Sequence, residues 1–314
     1  MLSPRFKCSP FGVSVLSDVE LERTGSAAGS GPLRLTIRPG LARSKTIDGA
    51  RLWSWPAIRP ALEVYSTPRG LLFRYREQAD ILYDRGALTL DVIPEANLPF
   101  RNLSQLLLGQ VIPMIAADRG SLVLHAAGAV LSGGSLIGLL GPSGTGKSTL
   151  LAALIDHGFL AFSDDYLALD RQDGILTVHP GPRNIRLWPE SLKLIASQRT
   201  SSFVQLSNGK YQIHPPDEHW STSLEPPKIF YALAPSDDPD RRVTIKRLTS
   251  HAAAAELFRN ALLVRKRDRP TTSRVFSQIA DVVEQAVVYR IEYPKGATGL
   301  REAAMRIRDC SLHA

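Results

Sequence analysis

The residues best suited to chemistry lie between Gly141 and Ser148. Their sequence, Gly-Pro-Ser-Gly-Thr-Gly-Lys-Ser, matches G-x-x-x-x-G-K-[ST] at every fixed position. Glycines there let backbone N–H groups turn towards phosphate oxygens, while Lys147 can reach β- and γ-phosphates and Ser148 can ligate magnesium. The pattern therefore predicts a loop that binds ATP with Mg²⁺. Its predicted nucleotide-binding residues are Gly141, Ser143, Gly144, Thr145, Gly146, Lys147, Ser148 and Thr149.

The loop needs a strand before it and a helix after it. The apolar run Leu136–Leu140 predicts the strand, and residues from Lys147 to about Asp156 predict the helix, which Gly158 would end. The positive end of such a helix favours phosphate. We expect residues Leu122–Leu131 to form one strand that pairs with Leu136–Leu140 through a tight turn at 132–134.

Two adjacent carboxylates follow the next apolar stretch, Phe159–Phe162. Asp164 and Asp165 lie one helix beyond the glycine loop, where a metal-binding or proton-accepting carboxylate is expected. Adjacent side chains on a strand point in opposite directions, so only one would face the phosphates unless the strand has ended. His125, in the strand paired with that of the loop, is a further candidate, with a buried structural histidine as the alternative.

The remaining pattern predicts an α/β fold in two parts. Residues 119–314 would form the phosphate-binding core, with later helices at 252–261 and 272–285, a strand at 287–291 and a terminal helix from 300. Residues 1–118 would form a β-rich N-terminal domain. Its short strands at 62–65, 71–75, 79–83 and 87–93 predict an antiparallel meander, and residues 102–117 predict a helix.

Composition excludes several classes of protein. The 314 residues carry a formal charge of +8, and the parts before and after residue 120 each hold four more basic than acidic residues. This even spread argues against a nucleic-acid partner. Apolar runs fall short of the ~20 residues that a membrane helix needs, and no secretory leader is apparent. Cys8 and Cys310 are too few for a disulfide framework, which favours the reducing cytoplasm.

At these residues the sequence resembles the HPr serine kinase/phosphorylase superfamily, and in particular its HPr-kinase-like bacterial relatives, including kinases found near peptide-tailoring gene clusters. The resemblance rests on an ordered series of segments that covers about residues 120–310, and the strand-rich start is similar only loosely. The segments are Leu124-His125-Ala-Ala, Gly141–Thr149, His157-Gly158-Phe159, Asp164-Asp165, the stretch 180–189 and Val288–Pro294.

The resemblance implies a P-loop kinase core with a mixed sheet, of the kind shared with ATP-dependent phosphoenolpyruvate carboxykinases. It implies that Asp164 is the base that accepts a hydroxyl proton, that His125 lies near it, and that Asp165 helps Ser148 to hold magnesium, although the order of the two aspartates stays open. A Glu-x-Arg-Gly-Leu-Gly segment typical of HPr kinases is replaced by Pro-Gly-Pro-Arg-Asn-Ile-Arg. Arg183 and Arg186 are therefore candidates for binding the transferred phosphate or the substrate. The alternative is that both lie in a solvated loop.

The sequence as a whole predicts an ATP-dependent kinase with Asp164, His125 and Lys147 as its catalytic residues. The expected acceptor is a hydroxyl, with a serine of a protein or peptide favoured, and the resemblance suggests a homo-oligomer. Two alternatives stay open: a small-molecule kinase, and a nucleotide-gated binding protein without an acceptor. The basic run Val264–Pro270 and Lys210 are predicted to be solvated surface. For the basic run, the alternative is a mobile loop that engages an acidic peptide or closes over the phosphates.

Overall fold

The chain folds into a mixed α/β structure built from several sheets. The computed structural model describes residues 6–21, 30–55, 61–131, 135–172, 174–194, 203–206, 208–221, 224–265 and 268–312. In the first part of the chain an eight-stranded sheet has the order β1-β2-β3-β8-β7-β6-β5-β4. Its strands are β1 Phe6–Cys8, β2 Val13–Ser17, β3 Ser30–Ile37, β4 Ala50–Trp55, β5 Leu62–Ser66, β6 Gly70–Tyr75, β7 Ala79–Asp84 and β8 Thr89–Pro94.

The predicted meander is confirmed, since β5 to β8 pair in succession and are antiparallel. Two features of this sheet were not predicted. Strand β3 is parallel to both β2 and β8, so the sheet is mixed. Strand β4, an edge strand without buried residues, carries no apolar alternation that would have indicated it. The sequence also predicts a flexible glycine- and serine-rich loop at 25–31, and residues 25–29 of it lie outside the described residues.

The predicted helix at 102–117 is present but interrupted by a wider turn. It consists of α1 Phe100–Leu106, a π-helical turn Leu107–Val111 and α2 Ile112–Arg119, and Gly120 ends it with φ of 118°. Its apolar side chains share one core with the eight-stranded sheet. Val123, Tyr166 and Ala168 belong to that same core, and the boundary near residue 118 stays a prediction.

The second part of the chain is built around a six-stranded mixed sheet of order β12-β10-β11-β18-β20-β19. Strands β11, β18 and β20 are parallel, and the other pairs are antiparallel. The elements of this part are β9 Leu122–Leu124, β10 Ala126–Leu131, β11 Leu136–Leu140, α3 Lys147–Asp156, β12 Phe159–Ser163, β13 Leu167–Gln172, β14 Ile175–His179, β15 Ile185–Leu187, α4 Pro189–Leu194, β16 Phe203–Gln205, β17 Tyr211–Ile213, β18 Ile229–Ser236, β19 Thr244–Arg247, α5 Ser250–Arg259, α6 Arg269–Gln285, β20 Val287–Pro294 and α7 Ala297–Leu312.

The expectation of one strand over Leu122–Leu131 is wrong. The chain leaves one sheet and enters another at His125: β9 pairs with β13, whereas β10 pairs with β11 and β12. The apolar run is continuous because both short strands are buried, so its composition gave no sign of the break. The expected pairing with Leu136–Leu140 is confirmed for β10, and the turn at 132–134 lies outside the described residues.

The predicted later helices and strand are confirmed with modest shifts in their ends. Residues 250–259, 269–285 and 297–312 are helical, and β20 extends the expected strand to Pro294. Gly158 follows α3 with φ of 89°, which suits the expected helix stop. No helix among the described residues is long and apolar enough to cross a membrane. Cys8 and Cys310 both carry free thiols.

The strand that leads into the glycine loop depends on a small residue at its centre. A Cβ atom at Gly138 would lie 2.4 and 2.5 Å from two ring carbons of the buried Phe230 on the parallel neighbour β18. We expect Gly138→Ala to lower the free energy of unfolding by about 1–3 kcal/mol, because the added methyl group displaces the ring. Urea denaturation measures this change.

Two further variants distinguish a steric clash with the Phe230 ring from a general effect of replacing a glycine. Phe230→Leu added to Gly138→Ala should recover part of the lost stability, since the two positions are in contact. Gly86→Ala is the control, because its nearest neighbouring atom would be 3.6 Å from the new Cβ. Equal stability of Gly138→Ala and the native chain would contradict the steric argument.

Candidate active site

The glycine loop connects β11 to α3 and owes its shape to three glycines. Gly141, Gly144 and Gly146 have φ of 153°, 88° and 90°, in the region that side chains disfavour. Strand β11 is fully buried, and helix α3 begins at Lys147 directly after the loop. The predicted order of strand, loop and helix is therefore present in the structure.

Lys147 is enclosed by the loop. Its Nζ donates hydrogen bonds to the carbonyl oxygens of Gly141, at 2.5 Å, and Pro142, at 3.1 Å, and only 6% of the residue is exposed. Burial lowers the pKa of Lys147 to about 8; the charge of Lys210 acts in the same direction and Asp164 opposes it. The lysine is thus a buried cation held at the centre of the loop.

Asp164 ties the loop helix to a second element. Its Oδ1 accepts a hydrogen bond from the Ser148 hydroxyl at 2.8 Å, and its Oδ2 accepts one from the backbone N–H of Arg186 at 2.9 Å. Strand β12 ends one residue earlier, and Asp164 is buried. The carboxylate is therefore oriented by α3 on one side and by β15 on the other.

Asp165 faces the same region because the strand has ended. Its φ is 68°, a left-handed conformation that aspartate tolerates better than most residues, and the chain turns there. The Asp165 carboxylate forms an ion pair with the guanidinium of Arg186. Arg186 thus contacts both aspartates, one through its backbone and one through its side chain, so the two carboxylates belong to one site.

The guanidinium of Arg186 also lies against the N-terminal part of the chain. A Cβ atom at Gly109, in the π-helical turn, would be 2.7 Å from Arg186 Nη1. A cavity of about 20 Å³, roughly the size of one water, adjoins the two aspartates. Its lining includes Gln105 and Asn184, so the helix at 100–119 forms one wall of the site.

His125 lies where the chain changes sheets, and its ring is half-buried. Its backbone N–H donates to the carbonyl of Asn260 at 2.7 Å, and its ring centroid is 5.6 Å from that of Tyr166. Burial lowers the pKa of His125 to about 3, and the charges of Lys147, Lys210 and Arg186 contribute in that order. The imidazole is therefore neutral at ordinary pH, close enough to the cations to be influenced by them.

Asn260, which sequence reasoning missed, connects His125 to the glycine loop. It is buried, and its Oδ1 accepts a hydrogen bond from the Gly141 N–H at 3.1 Å. Its Nδ2 donates to the carbonyl of Glu256 at 2.9 Å, within α5. No local pattern marks an asparagine 119 residues from its partner, so only the tertiary structure reveals this contact.

Lys210, predicted to be solvated surface, lies on the side of its hairpin that faces the site. Its Nζ lies 5.3 Å from the ring centroid of Trp188. Burial lowers the pKa of Lys210, Arg186 lowers it further and Asp164 opposes the shift. The weak signal available in the sequence was the Asn208-Gly209 turn just before it, which predicts a hairpin but not what the hairpin faces.

The other predicted residues differ in their positions. Ser143 is exposed at the tip of the loop, and the Thr145 hydroxyl donates to the Pro142 carbonyl at 2.8 Å. The Thr149 hydroxyl donates to Ser191 Oγ in α4 at 2.9 Å, so it holds α4 against the loop helix. Arg183 pairs with the exposed Asp217 at 3.1 Å, and no contact joins it to the two aspartates. Residues 266–267 of the basic run lie outside the described residues.

The oxygen atoms of Ser148 and Asp164 are the best candidates for holding a metal ion. The described residues contain no group of three or more His, Cys, Asp or Glu side chains placed to bind one. Magnesium commonly takes one or two protein oxygens and completes its shell with phosphate and water, so this small donor set suits Mg²⁺ better than zinc.

Comparisons with known proteins leave the family open. No family model and no curated sequence matches the chain. Among solved structures it is similar to the Hpr(Ser) kinase/phosphatase from Coxiella burnetii, at 14% identity and a TM-score of 0.32 over 61% of this chain and 99% of that chain. A likeness at this TM-score carries no argument about function, which therefore rests on the geometry of the site.

The contact between Asn260 and Gly141 leads to a prediction about stability. Asn260→Ala removes the acceptor for a buried loop N–H, which should lower the free energy of unfolding by about 1–3 kcal/mol. Thermal or urea unfolding measures the change. Asn97→Ala, at an exposed position, is the matched control. A change in Asn260→Ala no larger than that in the control would contradict the assigned contact.

Proposed function

We propose that the protein is an ATP-dependent kinase that transfers the γ-phosphoryl group to a hydroxyl. The observation that carries this proposal is the hydrogen bond between Ser148 and Asp164 beside the enclosed Lys147. It joins a phosphate-binding loop to a carboxylate at the end of a neighbouring strand, the combination that phosphoryl transfer requires. The predicted P-loop kinase core, of the HPr kinase and phosphoenolpyruvate carboxykinase type, is part of the proposal.

Binding of ATP follows from the loop. Backbone N–H groups between Gly141 and Ser148 and the first turn of α3 would surround the β- and γ-phosphates. Lys147 would exchange its carbonyl partners for phosphate oxygens, which also removes much of the cost of burying its charge. Charge on the transferred group is thereby neutralised by the chain itself.

The geometry leads us to exchange the roles of the two aspartates. The Ser148 and Asp164 oxygens are 2.8 Å apart, so both can ligate one cation. When bound, Mg²⁺ would neutralise charge on the phosphates. Asp165 is then the carboxylate that remains for the acceptor, which reverses the order that the resemblance implies.

In the transfer step the acceptor oxygen bonds to the γ-phosphorus, and the bond to the β,γ-bridging oxygen breaks. The electron pair of the broken bond leaves with ADP, and the hydroxyl proton goes to the carboxylate of Asp165. Arg186 orients this carboxylate through their ion pair. His125, neutral at ordinary pH, would position groups through hydrogen bonds rather than supply charge.

A serine of a protein or peptide is the acceptor we favour. The resemblance in the order of His125, the glycine loop and the aspartate pair supports it. Trp188, which directly follows the strand β15 that carries Arg186, is exposed, and an exposed aromatic ring beside the site is suited to packing against a peptide chain. A metabolite acceptor is the alternative that the first experiment below distinguishes.

The exchange of roles can be tested with three variants. Lys147→Ala should lose transfer by about 10²-fold or more. Asp164→Asn should weaken magnesium-dependent ATP binding, because it removes a charged ligand. Asp165→Asn should retain ATP binding and lose transfer by about 10²–10⁴-fold, because the proton acceptor is gone. Titration calorimetry measures binding, and transfer is followed with γ-labelled ATP and a lysate of the host.

The position of the label identifies the reaction. Label in a protein or peptide supports the proposal, label in a metabolite indicates a small-molecule kinase, and phosphate released alone indicates a nucleotide-gated binding protein. Asp240→Asn, at an exposed aspartate between β18 and β19, is the matched control and should behave as the native chain. Transfer by Asp165→Asn at the native rate would overturn its role as base.

The lowered pKa of Lys147 predicts how ATP affinity depends on pH. The lysine is charged below its pKa of about 8, and ATP stabilises the charged form. The affinity for ATP should therefore be constant below that pH. Above it, the affinity should fall, and the decrease should approach about tenfold for each pH unit. Titrations from about pH 7 to pH 9.5 measure the slope. Lys147→Arg should flatten it, since guanidinium stays charged, and an equally steep slope in that variant would exclude Lys147 as the cause.

A further inference from the structure

The small sheet of β15, β17 and β16 presents one face to the active site. In its antiparallel register Arg186 pairs with Gln212 and Leu187 with Tyr211, which places Lys210 opposite Trp188 as the pairing continues. Side chains alternate along a strand, so Arg186, Trp188, Lys210 and Gln212 share a face. Ile185, Leu187 and Ile213, on the other face, are buried in a hydrophobic core. Because Arg186 contacts both aspartates, its face is the one turned to the site.

Local contacts fix the position of Lys210 on that face. Its backbone N–H donates to Asn208 Oδ1 at 3.1 Å, and its carbonyl accepts from Leu206 N at 2.8 Å, which closes the hairpin. The Trp188 ring lies 3.8 Å from where a Cβ of Gly209 would be, so it packs over the same turn. The ammonium rests over this ring, a cation–π contact that orients it.

The charge balance of the site indicates what Lys210 faces. Lys147, Arg186 and Lys210 contribute three positive charges against two from Asp164 and Asp165. The charge of Lys210 contributes to lowering the pKa of both Lys147 and His125, as expected for an ammonium on the face that Arg186 presents to the site. Burial and the charge of Arg186 disfavour the charged form of Lys210, and the charge of Asp164 offsets them only in part, so that its pKa is lowered. An additional anion is the natural partner for this cation.

We propose that Lys210 is a catalytic residue whose ammonium contacts the γ-phosphoryl oxygens during transfer, approaching from the small sheet while Lys147 approaches from the loop. This inference rests on the proposed kinase function. As the bond to the β,γ-bridging oxygen breaks and its electron pair leaves with ADP, charge spreads over the three oxygens of the group in transit. A cation oriented beforehand stabilises that charge more than it stabilises bound ATP, and therefore raises the rate rather than the affinity.

The test compares Lys210→Gln and Lys210→Arg with the native chain, with water as acceptor so that no substrate need be known. We expect Lys210→Gln to lower the rate of ATP hydrolysis by about 100-fold and to change ATP affinity by less than about threefold. Its affinity for ADP with magnesium and aluminium fluoride, a mimic of the group in transit, should fall by about the same factor as the rate. Lys210→Arg should restore part of the rate because it retains the charge.

Lys246→Gln is the matched control, since this lysine is exposed on β19, and it should behave as the native chain. Thermal unfolding checks that each variant is folded. If Lys210→Gln hydrolyses ATP at the native rate, or loses affinity for ATP and for the mimic equally, the catalytic role of Lys210 is excluded while the proposed function stands. If the native chain itself binds no ATP, both the function and this inference fail.

Discussion

The architecture of the candidate active site depends on the two hydrogen bonds accepted by the Asp164 carboxylate. One comes from Ser148 at the start of the loop helix, and the other from the backbone of Arg186 in the small sheet. A buried carboxylate needs such partners, because an unpaired one would be costly to remove from water. The same contacts bring the glycine loop and Asp165 to one place. The hydrogen bonds that stabilise this buried charge therefore also assemble the site.

Around this carboxylate the structure concentrates cations that have incomplete protein partners. Lys147 contacts backbone carbonyls and Lys210 an aromatic ring, whereas Arg186 is neutralised by Asp165. Burial lowers the pKa of both lysines, so keeping them charged lowers the stability of the fold. In the proposed function, the multiply charged phosphates of ATP would supply the missing negative charge. Burial, with a smaller contribution from these cations, lowers the pKa of His125 and keeps it neutral.

The parts of the site that the sequence predicted are those formed by neighbouring residues. The glycine loop, the helix at Lys147 and the carboxylates after β12 were recognisable because their backbone geometry and chemistry are local. Arg186 was recognised as a candidate, but its pairing with Asp165 was not. The break at His125 was missed because two short buried strands in different sheets have the same apolar composition as one longer strand.

The sequence by itself determined the order of strand, glycine loop and helix, most of the other helices and the antiparallel meander, since each follows from the spacing of residues near one another. Only the tertiary structure decided that Asp164 binds Ser148, that Asn260 holds the loop and that Lys210 faces the site. These contacts join residues far apart in the chain, and their geometry depends on sheet order and register. Neither is encoded in any local pattern, because sheets are assembled from strands whose partners are chosen by packing of the whole fold.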